Sequence, residues 1–209
     1  MTERLHAITD EVALVELIGE PLPRVRDKAR HELHDLDVDW LRASPFCVMA
    51  TADEDGRCDA SPKGDPPGEL VHVLDRTTIA IAERPGNRRA DGYKNLLRNP
   101  HVGLNFFIPG RGDTLRINGR ATLVSDAEFF DDLVVKDKRP LLAVVVEIDE
   151  LFHHCSKAFL RSKLWDPTTW DPEGVVPRRA SVAKQLDVPE KSQEELDAYY
   201  GSDYGKQLY

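Results

Sequence analysis

Residues 77–124 read TTIAIAERPGNRRADGYKNLLRNPHVGLNFFIPGRGDTLRINGRATLV, and this stretch decides the fold. Thr78–Ala82 is a short strand-forming run that gives way to the turn residues Pro85-Gly86. From about Arg88 to Arg98, Ala90, Tyr93, Leu96 and Leu97 fall at helical spacing. That helix stops at Asn99-Pro100, because the residue before a proline is pushed out of the α region. Val102–Phe107 and Thr114–Val124 then read as two strands in succession. In the second, Leu115, Ile117, Gly119, Ala121 and Leu123 alternate with Thr114, Arg116, Asn118, Arg120 and Thr122, the mark of a strand with one packed face.

Working outward, Phe46–Ala52, a segment around Ala60 and Leu70–Leu74 add strands before this stretch, and Leu141–Ile148 adds one after it. LLAVVVEI, within the last, predicts a strand buried on both faces. A second helix is expected over about Asp126 to Lys138, with Phe129, Phe130, Leu133 and Val134 as its apolar stripe. Strands that arrive without a helix after each one favour an antiparallel sheet or closed barrel over a doubly wound parallel sheet. Three zones follow: a helical lead-in over 1–43, in which Asp37 is a candidate helix cap, a barrel domain over 44–165, and an extension over 166–209 with one helix near Ser192–Tyr200.

A chain of 209 residues suits one domain with helical extensions. Lys and Arg total 28 against 37 Asp and Glu, a formal charge of −9. That balance argues against a protein built to grip nucleic acid or an anionic membrane, both of which need a basic face. No apolar run approaches the ~20 residues that cross a bilayer, and the first residues, MTERLHAITDEVAL, lack an export-signal pattern. The three cysteines, Cys47, Cys58 and Cys155, are too few and too scattered for a disulfide framework. A cytoplasmic protein is expected.

The most informative chemistry lies in Pro85-Gly86-Asn87-Arg88-Arg89. With Asn87 as N-cap, Arg88 and Arg89 would stand in the first turn of a helix, where the dipole prefers carboxylates. An external anion is then expected, and a phosphate suits both the helix start and the forked guanidinium groups. Two solvated arginines at a surface turn fit the same residues. Ser61-Pro62-Lys63-Gly64 offers a hydroxyl and a further positive charge, or an ordinary turn. The row Arg116, Asn118, Arg120 is either wet or the lining of a groove beside a partner subunit. His153-His154-Cys155 and His31-Glu32-Leu33-His34-Asp35 do not form a strong metal pattern, although His31 and His34 can share a helix face. Arg111-Gly112-Asp113 reads as a hairpin turn, and Gly110, Gly112 and Gly119 form no dinucleotide fingerprint.

In order along the chain, SPFCVMATADEDGRCDASPKGD, the 77–110 segment, DTLRINGRATLV and CSKAFLRSKLW resemble the pyridoxamine 5′-phosphate oxidase-like flavoproteins, the FMN-binding split-barrel superfamily, and in particular its bacterial FMN-binding branch with a KAFLRSKLW-type stretch. The likeness covers about Ser44 to Trp165. It implies a mainly β fold with peripheral helices, a six-stranded antiparallel split barrel, dimeric, with one FMN in each of two grooves between subunits. By that resemblance Arg88 and Arg89, beside Asn87, hold the FMN phosphate, and Ser61 and Lys63 flank it and the ribityl chain. The backbone at Ala82-Glu83 runs along the flavin ring. Thr114 stands where the family has a ring-contacting Gln, with a shorter reach. Lys157, Arg161 and Trp165 close the groove, from the partner or from the chain's own late strand, and Arg116 or Arg161 is a candidate to stabilise the anionic reduced flavin.

The likeness has limits. The stretch DAEFFDDLVVKDKRP has no Tyr or Ser where true pyridoxamine phosphate oxidases bind the substrate phosphate, and Asp126, Glu128, Asp131 and Asp132 would repel one if they faced the groove. The expectation is therefore an FMN-dependent oxidoreductase of unassigned small-molecule substrate rather than a vitamin B6 oxidase. The same barrel hosts F420 users and haem binders, for which His153 or His154 would be the axial candidates, and a non-catalytic flavin-binding sensor is a further alternative.

Overall fold

A computed structural model describes residues 6–171, 174–206 and 208. Residues 1–5 of the expected lead-in and residues 172, 173, 207 and 209 of the expected extension lie outside the described residues. Three helices lead in: α1 (Glu11–Ile18), α2 (Pro23–Arg26) and α3 (Asp35–Ala43). The sheet comprises β1 (Phe46–Ala52), β2 (Cys58–Gly64), β3 (His72–Val73), β4 (Thr78–Ala82), β5 (His101–Phe107), β6 (Thr114–Val124) and β7 (Ala143–His154), with α4 (Asp91–Leu96) between β4 and β5. After it come α5 (Lys157–Ser162), α6 (Arg179–Val182) and α7 (Gln193–Tyr199).

All pairings are antiparallel, in the order β2-β1-β5-β6-β7-β4-β3. The two ends of this sheet approach one another. Lys63 on β2 reaches Glu83, one residue past β4, at 3.2 Å, and Asp65 just after β2 binds Arg84 at 2.7 Å. Side chains rather than a ladder join the ends, so the sheet is a barrel with a split, mainly β with helices at its periphery. It has seven strands and not the expected six, because His72 and Val73 add a two-residue pairing to β4. Leu70 and Val71, expected in that strand, instead turn into the core.

Alternation builds the interior. Cys47, Met49, Leu104, Phe106, Leu115, Ile117, Ile79, Ile81, Val144, Val146 and Leu151 point inward and are all but completely buried. The 141–148 run departs from its expected burial on both faces: Leu141 is exposed, and Val145 and Glu147 face outward. Strand neighbours on both edges therefore do not require cover on both faces.

At Asn118/Gly119 the β6–β7 register shifts, so Asp149 is an extra residue on β7. A Cβ on Gly119 would lie 2.1 Å from the Glu147 carbonyl oxygen. Because that obstacle is backbone and cannot rotate away, G119A should cost about 1–3 kcal/mol. The check is a urea midpoint, and an unchanged one would refute the tight β6–β7 approach.

Three helix expectations change. The segment expected to be helical over 126–138 forms only a 3₁₀ turn, Glu128–Leu133, which buries Phe130 and Leu133 at the i, i+3 spacing of that helix. The chain then reverses at Lys136 and Asp137, both at positive φ, inside the Val135↔Lys138 bridge. The cap of α3 is His34, whose Nδ1 accepts from Leu36 N at 3.2 Å, while Asp37 sits one turn in and accepts from His34 N. His31 thus precedes the helix and shares no face of it with His34. Beyond the barrel, α6 and α7 pack on each other through Ala180, Ala183 and Leu196, with Ser192 capping α7 as a capping box. No helix among the described residues is long and apolar enough to cross a membrane.

Candidate functional site

The split of the barrel opens as a cleft of ≈ 430 Å³. One wall is β2, presenting Ser61 and Lys63. The other is the end of β4 and the loop from Glu83 to Ala90. Seven of the sequence-predicted residues meet here: Ser61, Lys63, Ala82, Glu83, Asn87, Arg88 and Arg89.

Pairing across the split fixes this geometry. Arg84 and Asp65, 12% and 2% exposed at the side chain, form the innermost clasp, and Arg84 also donates to the Leu133 carbonyl at 2.9 Å. Lys63 Nζ donates to Glu83 Oε2 at 3.2 Å and to Tyr93 Oη at 2.5 Å, and lies 4.4 Å from the centre of the Tyr93 ring. Tyr93 in turn donates to Glu83. This Lys–Glu–Tyr cluster ties β2, the β4 end and α4 together. The Glu83 amide is engaged by the Leu142 carbonyl, so β4 continues its ladder one residue past its formal end.

The arginine loop differs from its sequence reading. Asn87 caps no helix; its Oδ1 accepts from Arg89 N at 3.0 Å, a local turn. The helix begins only at Asp91, and Asp91 supplies its own acid to the first turn, so the dipole argument for an external anion fails. What remains is a charge argument. Arg88 (φ 59) and Ala90 (φ 56) both adopt left-handed backbone, which non-glycine residues take only at a cost. Exposed Arg89 pairs with the half-buried Asp91. The Arg89 guanidinium holds the Asp91 carboxyl below the usual carboxylate range. Arg88 lines the cleft and forms no ion pair with any described residue.

The other five predicted residues lie elsewhere in the same chain. Thr114 is 3% exposed, at the start of β6. Arg116 packs over Phe152, 5.1 Å from its ring centre. Lys157 and Arg161 lie on the helix α5, not on a strand. Trp165 stacks on Phe159 and donates its indole N–H to the Arg111 carbonyl at 2.7 Å. Phe159 in turn meets Phe107 edge-on, and Phe107 meets Phe46 at a tilt.

Sequence reasoning did not find Tyr93, Arg84 or Asp65. Tyr93 falls in an apolar stripe of the sequence, and its hydroxyl is the available signal, since a buried phenol needs a partner. Buried Cys47 lies beneath this wall; burial pushes its thiol up to about 12, with nearby Lys63 opposing, which makes it a packing residue and no nucleophile.

No curated protein matches the chain. Among solved structures it is similar to HupZ of Group A Streptococcus, at 15% identity over 58% of this chain and 93% of that one, with TM-score 0.47. It is also similar to an FMN-binding protein of Syntrophomonas wolfei, at 14% identity over 57% and 81%, TM-score 0.43. A Clostridium acetobutylicum protein related to general stress protein 26 of B. subtilis, of the pyridoxinephosphate oxidase family, matches at 14% identity over 57% and 86%, TM-score 0.43. The family model described as pyridoxamine 5′-phosphate oxidase matches residues 33–155, a span that holds every strand of the barrel and the whole cleft. The chain belongs to the pyridoxamine 5′-phosphate oxidase family.

Proposed function

We propose that this protein is an FMN-binding oxidoreductase that seats the cofactor's phosphate in the barrel split. The observation that carries the reading is Arg88, a guanidinium on a strained backbone with no ion pair among the described residues, in a cleft that also presents Ser61, Lys63 and Arg89. The cleft lining also carries Asp59, Asp65, Glu83 and Asp91, of which the last three are taken up by Arg84, Lys63 and Arg89; Arg88 is the guanidinium left for a phosphate dianion to engage. The cleft volume also falls within the roughly 300–1,000 Å³ of small-molecule sites.

The residues present fit this cofactor. Arg88 and Arg89 would grip the phosphate and Ser61 would donate its hydroxyl to it. Lys63, shared with Glu83 and Tyr93, is already held in place and adds charge without needing to be ordered on binding. FMN, when bound, supplies hydride or electron transfer at its ring, while the chain supplies orientation and electrostatics. The acidic side chains of 126–132 do not line the cleft: Asp126 and Asp131 are taken up by Arg139, and Asp132 lies beside His72.

The reading extends to a homodimer. Lys157, Arg161 and Trp165 stand away from their own chain's cleft, and around them Leu160, Leu164 and Trp170 expose large apolar surface. Such a surface marks an interaction site, and a second copy placing its α5 against the split would close the groove over the flavin ring.

The test is direct. Protein purified and incubated with FMN should carry the flavin visible spectrum through gel filtration, eluting at twice the chain mass by light scattering. Failure to retain any flavin absorbance after loading would reject the cofactor.

A further inference from the structure

The geometry points to a second anion site, outside the cleft, in which Lys28, Arg116 and His154 receive a small phosphoryl-type dianion beside Phe152. This inference does not rest on the flavin reading.

The site arises where β7 outruns its neighbour. β4 pairs with β7 only as far as Glu147, and the free edge beyond is taken up by the lead-in, with Arg30 and Leu151 exchanging backbone hydrogen bonds at 3.0 and 2.8 Å. Lys28 is thereby carried to the outer end of β7, where its Nζ donates to the His153 carbonyl at 2.8 Å and stands 4.7 Å from the Phe152 ring centre. On the β6 side Arg116 is the direct cross-strand partner of Phe152, with its guanidinium carbon 5.1 Å from the same ring. His154, two residues on, shares that face, its ring 6.5 Å from Phe152. One aromatic ring thus collects two cations and an imidazole.

None of the three forms an ion pair with a described residue. The nearest carboxylate along the strand, Glu150, is engaged by Asn118 Nδ2 at 2.7 Å. Partial burial, the Arg116 guanidinium and the Lys28 ammonium together hold the His154 imidazole below its ordinary value, so the field at His154 is positive. Phe152 offsets part of the repulsion through its ring electrons, but a ring cannot accept the hydrogen bonds that the guanidinium, ammonium and imidazole offer. An oxyanion can. α5 begins three residues beyond His154 and extends the same basic character through Lys157 and Arg161.

The experiment follows the His154 C2 proton by NMR in the full-length chain, assigned with H154Q. The probe is sulfate, dianionic throughout the titration, compared with chloride and with acetate at equal ionic strength. In sulfate the His154 midpoint should rise by about half a pH unit or more relative to chloride, with acetate giving a clearly smaller rise. K28Q/R116Q should raise the midpoint in chloride and abolish the sulfate response, while R88A/R89A should retain it. Identical midpoints in sulfate and chloride, an equal response to acetate, or loss of the response in R88A/R89A would each overturn the proposal.

Discussion

An R88A/R89A double variant is expected to bind FMN about 10²- to 10⁴-fold more weakly than the unchanged protein, each charge-assisted contact contributing roughly ten- to hundredfold. The two arginines should not contribute equally. Arg89 is already paired with Asp91, and a phosphate must compete with that carboxylate, whereas Arg88 has no such competitor among the described residues. R88A alone should therefore account for the larger share. R88G separates charge from loop shape: glycine suits the left-handed backbone at 88, so the free protein should gain stability while FMN affinity is lost all the same. The unchanged protein should prefer FMN to riboflavin by a factor that collapses in the double variant, and that preference should shrink as salt screens the exposed arginines. Titration of flavin fluorescence reads all of these. Equal affinity for FMN and riboflavin in the unchanged protein would refute a phosphate seat at the arginines.

The barrel was legible in the sequence because its strands advertise period two. Phe46–Ala52, Thr78–Ala82 and Thr114–Val124 are strands with those same limits, since turn chemistry and alternation both act within a few residues. The arginine loop was located but misread. Asn87 followed by a periodic run looks like a cap, yet the helix starts only at Asp91, behind an Ala90 whose side chain caps nothing, and only the left-handed backbone at 88 and 90 shows this. The clasp of Arg84 with Asp65 and the Lys63–Glu83–Tyr93 cluster were invisible for a different reason: they exist because the sheet curls until its ends meet, and no local pattern encodes closure. Neither could the sequence show that Thr114 sits inside, since a threonine at a strand start is ordinarily wet. The short 3₁₀ turn at Glu128–Leu133 resembles a longer helix in the sequence because two phenylalanines and a leucine satisfy both spacings over so few residues.

The largest loss of stability is expected from D37A, at about 3–4 kcal/mol. Asp37 is 1% exposed and joins the lead-in at Arg30 and the start of α3 to His153 on β7, 116 residues further along. It accepts a two-pronged pair from Arg30 at 2.5 and 2.9 Å, the His34 amide at 2.8 Å and His153 Nε2 at 3.0 Å. Removing one partner of a buried pair costs about 3–5 kcal/mol; the lower half applies because the Arg30 side chain, 39% exposed, can regain water. That figure already includes the bond to the His34 amide, the return half of the capping box at the start of α3. Burial alone would push the Asp37 carboxyl up, but Arg30, the His34 amide and His153 outweigh it and hold the group below the usual carboxylate range. A carboxyl depressed in the folded state stabilises fully above its unfolded value, near 3.8, and loses that contribution as pH falls through the lower folded value. The stability gap between the unchanged protein and D37N should therefore be constant near neutrality and narrow steadily below about pH 4. Urea unfolding across that range is the measurement, and a gap that stays constant into acid would show that the Asp37 charge does not tie the lead-in to the barrel. The same contacts bear on haem as an alternative ligand, because His153, with Asp37 on its Nε2 and its ring edge-on to Trp40, is already committed to holding α3 against β7.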